Sequence, residues 1–148
     1  MPAQGPTLTI HGAAHTVTGS CLEFSHGGRT MLVDCGLFQG SRSLEALNAN
    51  PFAFDPRRVA AVTLTHAHID HSSLLPRLVA EEFEGPIWCT AATRDLLEAM
   101  LADAGRIQES DAERRNRRRD RAGEEPFVPL YTEADAMAAW RLCRPVPL

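Results

Sequence analysis

Residues 66–71 read His-Ala-His-Ile-Asp-His, directly after an apolar, β-prone run over residues 59–65. No other feature constrains the chain as much. Four metal-binding side chains fall within six residues, and such groups are useful only on a rigid element. The run Val-Ala-Ala-Val-Thr-Leu-Thr suits a central strand covered on both faces. His66 and His68 are two apart, so on extended backbone they project to the same side. Asp70 and His71 fall on the turn into a helix. The arrangement can hold one metal on His66 and His68 and a second on Asp70 and His71. Imidazole with carboxylate suits Zn²⁺, with Mn²⁺ or Fe as alternatives. The end of a strand is also where open α/β folds place their sites.

The flanking sequence completes an α/β pattern. Residues 7–11 read as a short strand. Residues 20–25 and 29–34 read as a hairpin around His26-Gly27-Gly28. Gly36, Gly40 and the polar stretch after them read as a loop. Leu74, Leu75, Leu78 and Val79 share one face of a helix over 72–83, with Ser72 or Ser73 as its N-cap. Gly85-Pro86 ends it, and 87–90 is a further strand. Leu96, Leu97, Met100, Leu101 and Ala104 mark a helix from 93 to about 107. Thr132-Glu133-Ala134-Asp135 resembles a capping box, with Asp as its last member, and opens a helix to about 142. The RPVPL end is extended. An open central sheet follows from this order.

The segment THAHIDHSSLLP (65–76) resembles the second signature motif of the metallo-β-lactamase superfamily. VDCGLFQG (33–40) is similar to the motif around that family's first acidic residue. HGAAHTVTGSCLEF (11–24), the FxFDP segment (52–56) and GPIWCTAATRDLLEAML (85–101) resemble one branch of it. That branch is the β-CASP group of RNA-processing nucleases, which includes the endonuclease subunit of the mRNA 3′-end cleavage machinery and its prokaryotic relatives. The resemblance implies an αββα sandwich with a two-zinc site at the sheet edge, of which this chain is the N-terminal half. It implies that His66 and His68 ligate one zinc, and Asp70 and His71 the other. Asp70 is also assigned a catalytic role, and Asp34 orients the ligand loop through hydrogen bonds. The implied reaction is metal-assisted hydrolysis of RNA phosphodiesters.

Two departures from the family stand out. Ser73 replaces the usual Gly, and no His follows His71. A catalytic zinc takes about three protein ligands, and these four residues supply two to each metal. The expectation is a partial domain over 1–148, without the C-terminal half and the β-CASP insert. Its open sheet would then invite self-association or a completing polypeptide. Two alternatives belong beside the nuclease reading. One is a catalytically incomplete metal- or partner-binding module. The other is a thioesterase- or glyoxalase-like hydrolase of the same fold.

Charge decides less. Fifteen basic residues against nineteen acidic ones leave a net charge of −4, so bulk charge does not announce nucleic acid. The basic residues concentrate at 114–121, where Arg117 and Arg118 are candidates for RNA phosphate contacts. The plainer reading is a solvated helix face or loop, partly neutralised by Glu109, Asp111, Glu113 and Asp120. The four cysteines form no CxxC pair and lie in apolar segments, which suits reduced, buried thiols in a cytoplasmic protein. No apolar run approaches the ~18 residues that span a bilayer, and the first ten residues lack the regions of a signal peptide.

Overall fold

The computed structural model describes residues 5–147. Residues 1–4, part of the N-terminal stretch read above, and Leu148, the end of RPVPL, lie outside the described residues. Among the described residues six strands form one sheet in sequence order: β1 (Thr7–Ile10), β2 (Leu22–His26), β3 (Arg29–Val33), β4 (Val59–Thr63), β5 (Ile87–Cys89) and β6 (Cys143–Pro145). The first three run antiparallel, with the expected tight turn after His26. From β3 onward the strands are parallel. Parallel neighbours need long crossovers. α1 (Arg42–Ala46) joins β3 to β4, and α2 (Ile69–Ser72) with α3 (Leu75–Ala80) joins β4 to β5. The long α4 (Ala91–Ala122) and α5 (Glu133–Leu142) join β5 to β6.

Right-handed crossovers lay their helices on the same face of a sheet, and the burial follows that rule. Leu32, Val62, Ile87 and Cys143 lie in register across β3 to β6 and are at most 1% exposed. They pack with Leu75 and Leu78 of α3, Leu97 and Leu101 of α4, and Ala136 and Ala139 of α5. Each large side chain buried there contributes about 2 kcal/mol. The other face carries Leu8, Phe24, Met31 and Trp88, which are 40–61% exposed. The expectation of a β4 covered on both faces holds only in part, since Val59 and Ala61 on this second face are buried but its C-terminal end is not. Val62 is fully buried, but Thr63 on the opposite face is open to solvent.

Four local readings also change. The stretch after Gly40 is not loop throughout. Ser41 accepts a hydrogen bond from the Leu44 amide and caps α1. The single helix expected over 72–83 is two helices. Pro76 lacks an N–H and restricts the residue before it, so it sits in the first turn of α3, and the chain turns at Ser73 and Leu74. Neither serine is an N-cap. The Ser72 hydroxyl instead donates to the Ala67 and His68 carbonyls, at 2.9 and 3.0 Å. The helix expected to stop near 107 continues to Ala122. Its Arg, Glu and Ala content favours helix, and Asp103–Arg106 and Asp111–Arg114 pair along it. It ends at Gly123, whose φ of 67° is the left-handed backbone typical of that position. The capping box at Thr132 and Asp135 forms as expected.

All four cysteines are free and buried. They meet in two pairs that their spacing does not reveal, Cys21 with Cys35 and Cys89 with Cys143. The hydrogen bond that the Cys35 thiol makes to Cys21, then burial, holds it well above its usual range. Burial pushes Cys143 up to about 12.

Candidate metal centre

The chain leaves β3 at Asp34 with a φ of 61°, a left-handed conformation that costs a non-glycine residue about 1 kcal/mol. This turn directs a buried carboxylate, 2% exposed, toward the end of β4. The carboxylate is a hub. Asp34 Oδ1 accepts from the Thr65 amide at 2.8 Å, and the Thr65 hydroxyl lies 2.9 Å away. Asp34 Oδ2 accepts from the Ser20 hydroxyl at 3.2 Å and meets His71 Nδ1 at 2.8 Å. Three segments distant in sequence are thereby joined at one side chain.

The backbone joins the same segments. The Ser20 amide donates to the Asp70 carbonyl, and the Cys35 amide to that of His71. The Gly36 amide donates to Ser20, and that of Leu37 to Ile69. Space at this crossing is exhausted. A Cβ on Gly36 would stand 1.7 Å from the Asp70 carbonyl oxygen and 2.1 Å from its carbon. Glycine is needed at this position because two backbones touch. The preceding loop is pinned too, since Thr18 Oγ1 donates to the Gln39 carbonyl and accepts from its amide, both at 3.1 Å.

On this frame Asp70 and His71, expected on the turn into a helix, lie within the helix itself. His66 and His68 follow β4 on irregular backbone, whereas Asp70 and His71 belong to α2. The His66 and His68 rings stand edge to face, 4.6 Å between centroids. His66 and His71 are closer, at 4.0 Å. His71 Nε2 lies 3.5 Å from Asp70 Oδ2. Two donors at ~2.1 Å from a tetrahedral zinc are roughly 3.4 Å apart, so this pair has the spacing of ligands to one ion. His71 Nδ1 is already engaged by Asp34, which leaves Nε2 for a metal. The donor types and the Asp70–His71 spacing therefore fit a divalent cation. Among the described residues, no three His, Cys, Asp or Glu side chains form a group able to enclose one. Asp70 and His71 form one donor pair, short of the three ligands that a catalytic site provides.

The remaining candidates lie elsewhere. Arg117 and Arg118 are exposed on the last turns of α4, separate from this cluster in the fold. Their neighbours are partly engaged: Arg119 pairs with Glu124, and Arg115 lies over the Phe127 ring. His11 pairs with Glu23 at 2.8 Å and packs on Phe54, which makes it a structural group. Two participants escaped the sequence reading, Ser20 and Thr65. The only signals were their places, Ser20 closing the VTGS stretch and Thr65 preceding His66. No helix among the described residues is long and apolar enough to cross a membrane.

Comparison with known proteins gives this geometry its context. A family model described as the metallo-β-lactamase superfamily matches residues 8–138. Ribonuclease TTHA0252 of Thermus thermophilus is 50% identical over 98 residues, which are 66% of this chain and 22% of that protein. The transcription termination factor FttA of Methanothermobacter thermautotrophicus is 38% identical over 100 residues, 65% of this chain and 15% of the relative. The cleavage and polyadenylation specificity factor subunit 3-I of Arabidopsis thaliana is 30% identical over 109 residues, 72% of this chain and 15% of the relative. The chain thus spans less than a quarter of the length of these relatives.

Proposed function

Because the chain belongs to the metallo-β-lactamase superfamily, we propose that it carries the first half of a divalent-metal site for hydrolysing RNA phosphodiesters. Zinc is the metal that two imidazole-rich donor pairs suit best. The observation that carries the reading is the Asp34 hub, which ties His71 and the end of β4 into one rigid unit. The relatives' names, a ribonuclease, a transcription termination factor and a cleavage and polyadenylation specificity factor subunit, support RNA over other substrates of the fold. In this reading His66 and His68 hold one ion, and Asp70 and His71 hold the other.

The chemistry that a metal pair would supply here is activation of a water and neutralisation of charge on the phosphate. The chain's own residues position it. Asp34 keeps His71 oriented by accepting a hydrogen bond from its Nδ1, and Asp70, the catalytic carboxylate in this reading, would help to hold the metal. Arg117 and Arg118 serve as phosphate contacts for the flanking RNA, which makes binding sensitive to salt. The exposed apolar face with Leu8, Phe24, Met31 and Trp88 receives the rest of the fold, or a second copy when that is lacking.

A chimera tests all of this together. It joins this chain to the downstream remainder of the Thermus ribonuclease. The expected result is a monomer that cleaves single-stranded RNA when zinc is supplied and is inactive with Asp70→Ala. Replacing Arg117 and Arg118 by Ala should weaken its RNA binding most at low salt. This chain by itself should show little or no cleavage and should self-associate as its concentration rises. A folded, metal-loaded chimera that leaves RNA intact and hydrolyses a thioester would transfer the site to the other hydrolase class. Strong zinc-dependent cleavage by the homogeneous 148-residue chain would overturn the half-site reading.

A further inference from the structure

We propose that Thr65 is a positioning residue that fixes the tautomer of His66, acting as a relay from Asp34. The proposal deepens the metal-site reading and rests on His66 being a donor in it. The Thr65 hydroxyl oxygen lies 2.9 and 3.0 Å from the two carboxylate oxygens of Asp34, and 3.0 Å from His66 Nδ1. A hydroxyl has one proton to give and lone pairs with which to accept. Its proton goes to the carboxylate, because charge-assisted hydrogen bonds are the stronger ones. The Thr65 amide donates to the same carboxylate at 2.8 Å and holds the residue in place.

Thr65 Oγ1 then faces His66 Nδ1 as an acceptor, and the bond forms only if Nδ1 carries the imidazole proton. His66 is left with its lone pair on Nε2. In free neutral histidine the proton prefers Nε2, so the relay reverses the intrinsic preference. His71 is set the same way without an intermediary, since its Nδ1 meets Asp34 Oδ2 directly at 2.8 Å. His71 Nδ1 lies 3.5 Å from the Thr65 hydroxyl, too far to compete for it. One carboxylate therefore prepares two imidazoles, His71 by contact and His66 through Thr65. Each presents Nε2 as the donor before any cation arrives. Such outer partners typically contribute ten- to a hundredfold in metal affinity.

The test reads the tautomer in metal-free protein, so it does not depend on whether metal binds. Long-range ¹H–¹⁵N spectra of the histidine rings are recorded at about pH 8. His66 is expected in the Nδ1–H form. Thr65→Val should move it to the Nε2–H form and lower zinc affinity by about ten- to a hundredfold, while Thr65→Ser should retain both properties. An Nε2–H His66 in the unmodified chain would overturn the relay. So would an Nδ1–H His66 that persists in Thr65→Val. The spectrum of the unmodified chain is informative whatever the variants do. Thr65 is exposed on its outer side, and Thr65→Ala is the second variant should the Val form fail to fold. Correct tautomers without zinc uptake would leave the relay standing and remove the metal-site reading.

Discussion

Asp34→Ala is expected to lower the zinc affinity of the chain by ten- to a hundredfold, the usual effect of losing an outer partner of metal-bound histidine. It should also cost about 2–4 kcal/mol of stability, because several donors lose their acceptor at once. The Thr65 amide, the Thr65 and Ser20 hydroxyls and His71 Nδ1 all converge on this carboxylate. Alanine in addition meets a backbone φ of 61° that it adopts less readily than aspartate. Asp34→Asn separates the two effects. Asparagine tolerates left-handed backbone and fills the same space, but its amide nitrogen cannot accept a hydrogen bond. The Asn variant should stay folded near the native melting temperature and still bind zinc poorly. Calorimetric zinc titration beside thermal melting checks both. Native zinc affinity in the Asp34→Ala chain would mean that the hub has no part in metal binding.

Gly36→Ala is expected to be the most destabilising single-methyl addition in the chain's site region. The new Cβ would overlap the Asp70 carbonyl at 1.7 Å, and the His71 nitrogen would stand 2.6 Å away. Neither is the end of a flexible side chain, so one backbone segment must move. That movement pulls on the amide bonds from Cys35 to His71 and from Leu37 to Ile69. Overpacking of this kind costs typically 1–3 kcal/mol, and more where backbone hydrogen bonds break with it. A loss of about 3–5 kcal/mol would lower the melting temperature by roughly 10 °C or more in a domain of this size. Because Asp70 and His71 shift with the displaced segment, zinc affinity should fall too. Thermal melting of the Gly36→Ala chain checks this, and an unchanged melting temperature would mean that the crossing is looser than the backbone geometry indicates.

These two residues show what the sequence makes legible. Asp34 and Gly36 stand out because they fall in VDCGLFQG, a segment read from family resemblance. The physical need for each appears only when β3, α2 and Ser20 are brought together. Local devices are easier. The His26-Gly27-Gly28 turn and the Thr132–Asp135 capping box are complete within a few residues, and both form as read. The split between α2 and α3 was also local, but its signal was Pro76, and the leucine periodicity hid it. For α4 the apolar stripe fades after Ile107 while helix-favouring residues continue, so the stop signal is Gly123 and not the end of the stripe. The open face of the sheet is a matter of topology. Crossovers of one hand cover one side, and nothing in the run over 59–65 says which residues lack a cover.

Ser20 and Thr65 are the instructive omissions. They reach Asp34 across 14 and 31 positions of sequence, and a single hydroxyl has no spacing pattern of its own. The histidines announce a site because imidazole clusters are rare. The hydroxyls that orient a site look like any other serine or threonine until their partners are in place.

His66, His68, Asp70 and His71 are expected to bind divalent metal through the chain's own donors. Zinc titration of the metal-free chain by calorimetry, against the His68→Ala, Asp70→Ala double variant, tests it most directly. Zinc uptake is expected to be weak enough to be lost on dialysis, since each ion has two donors here, and to disappear in the double variant. Uptake of equal strength in both proteins, or none in the native chain at any zinc concentration, would contradict it.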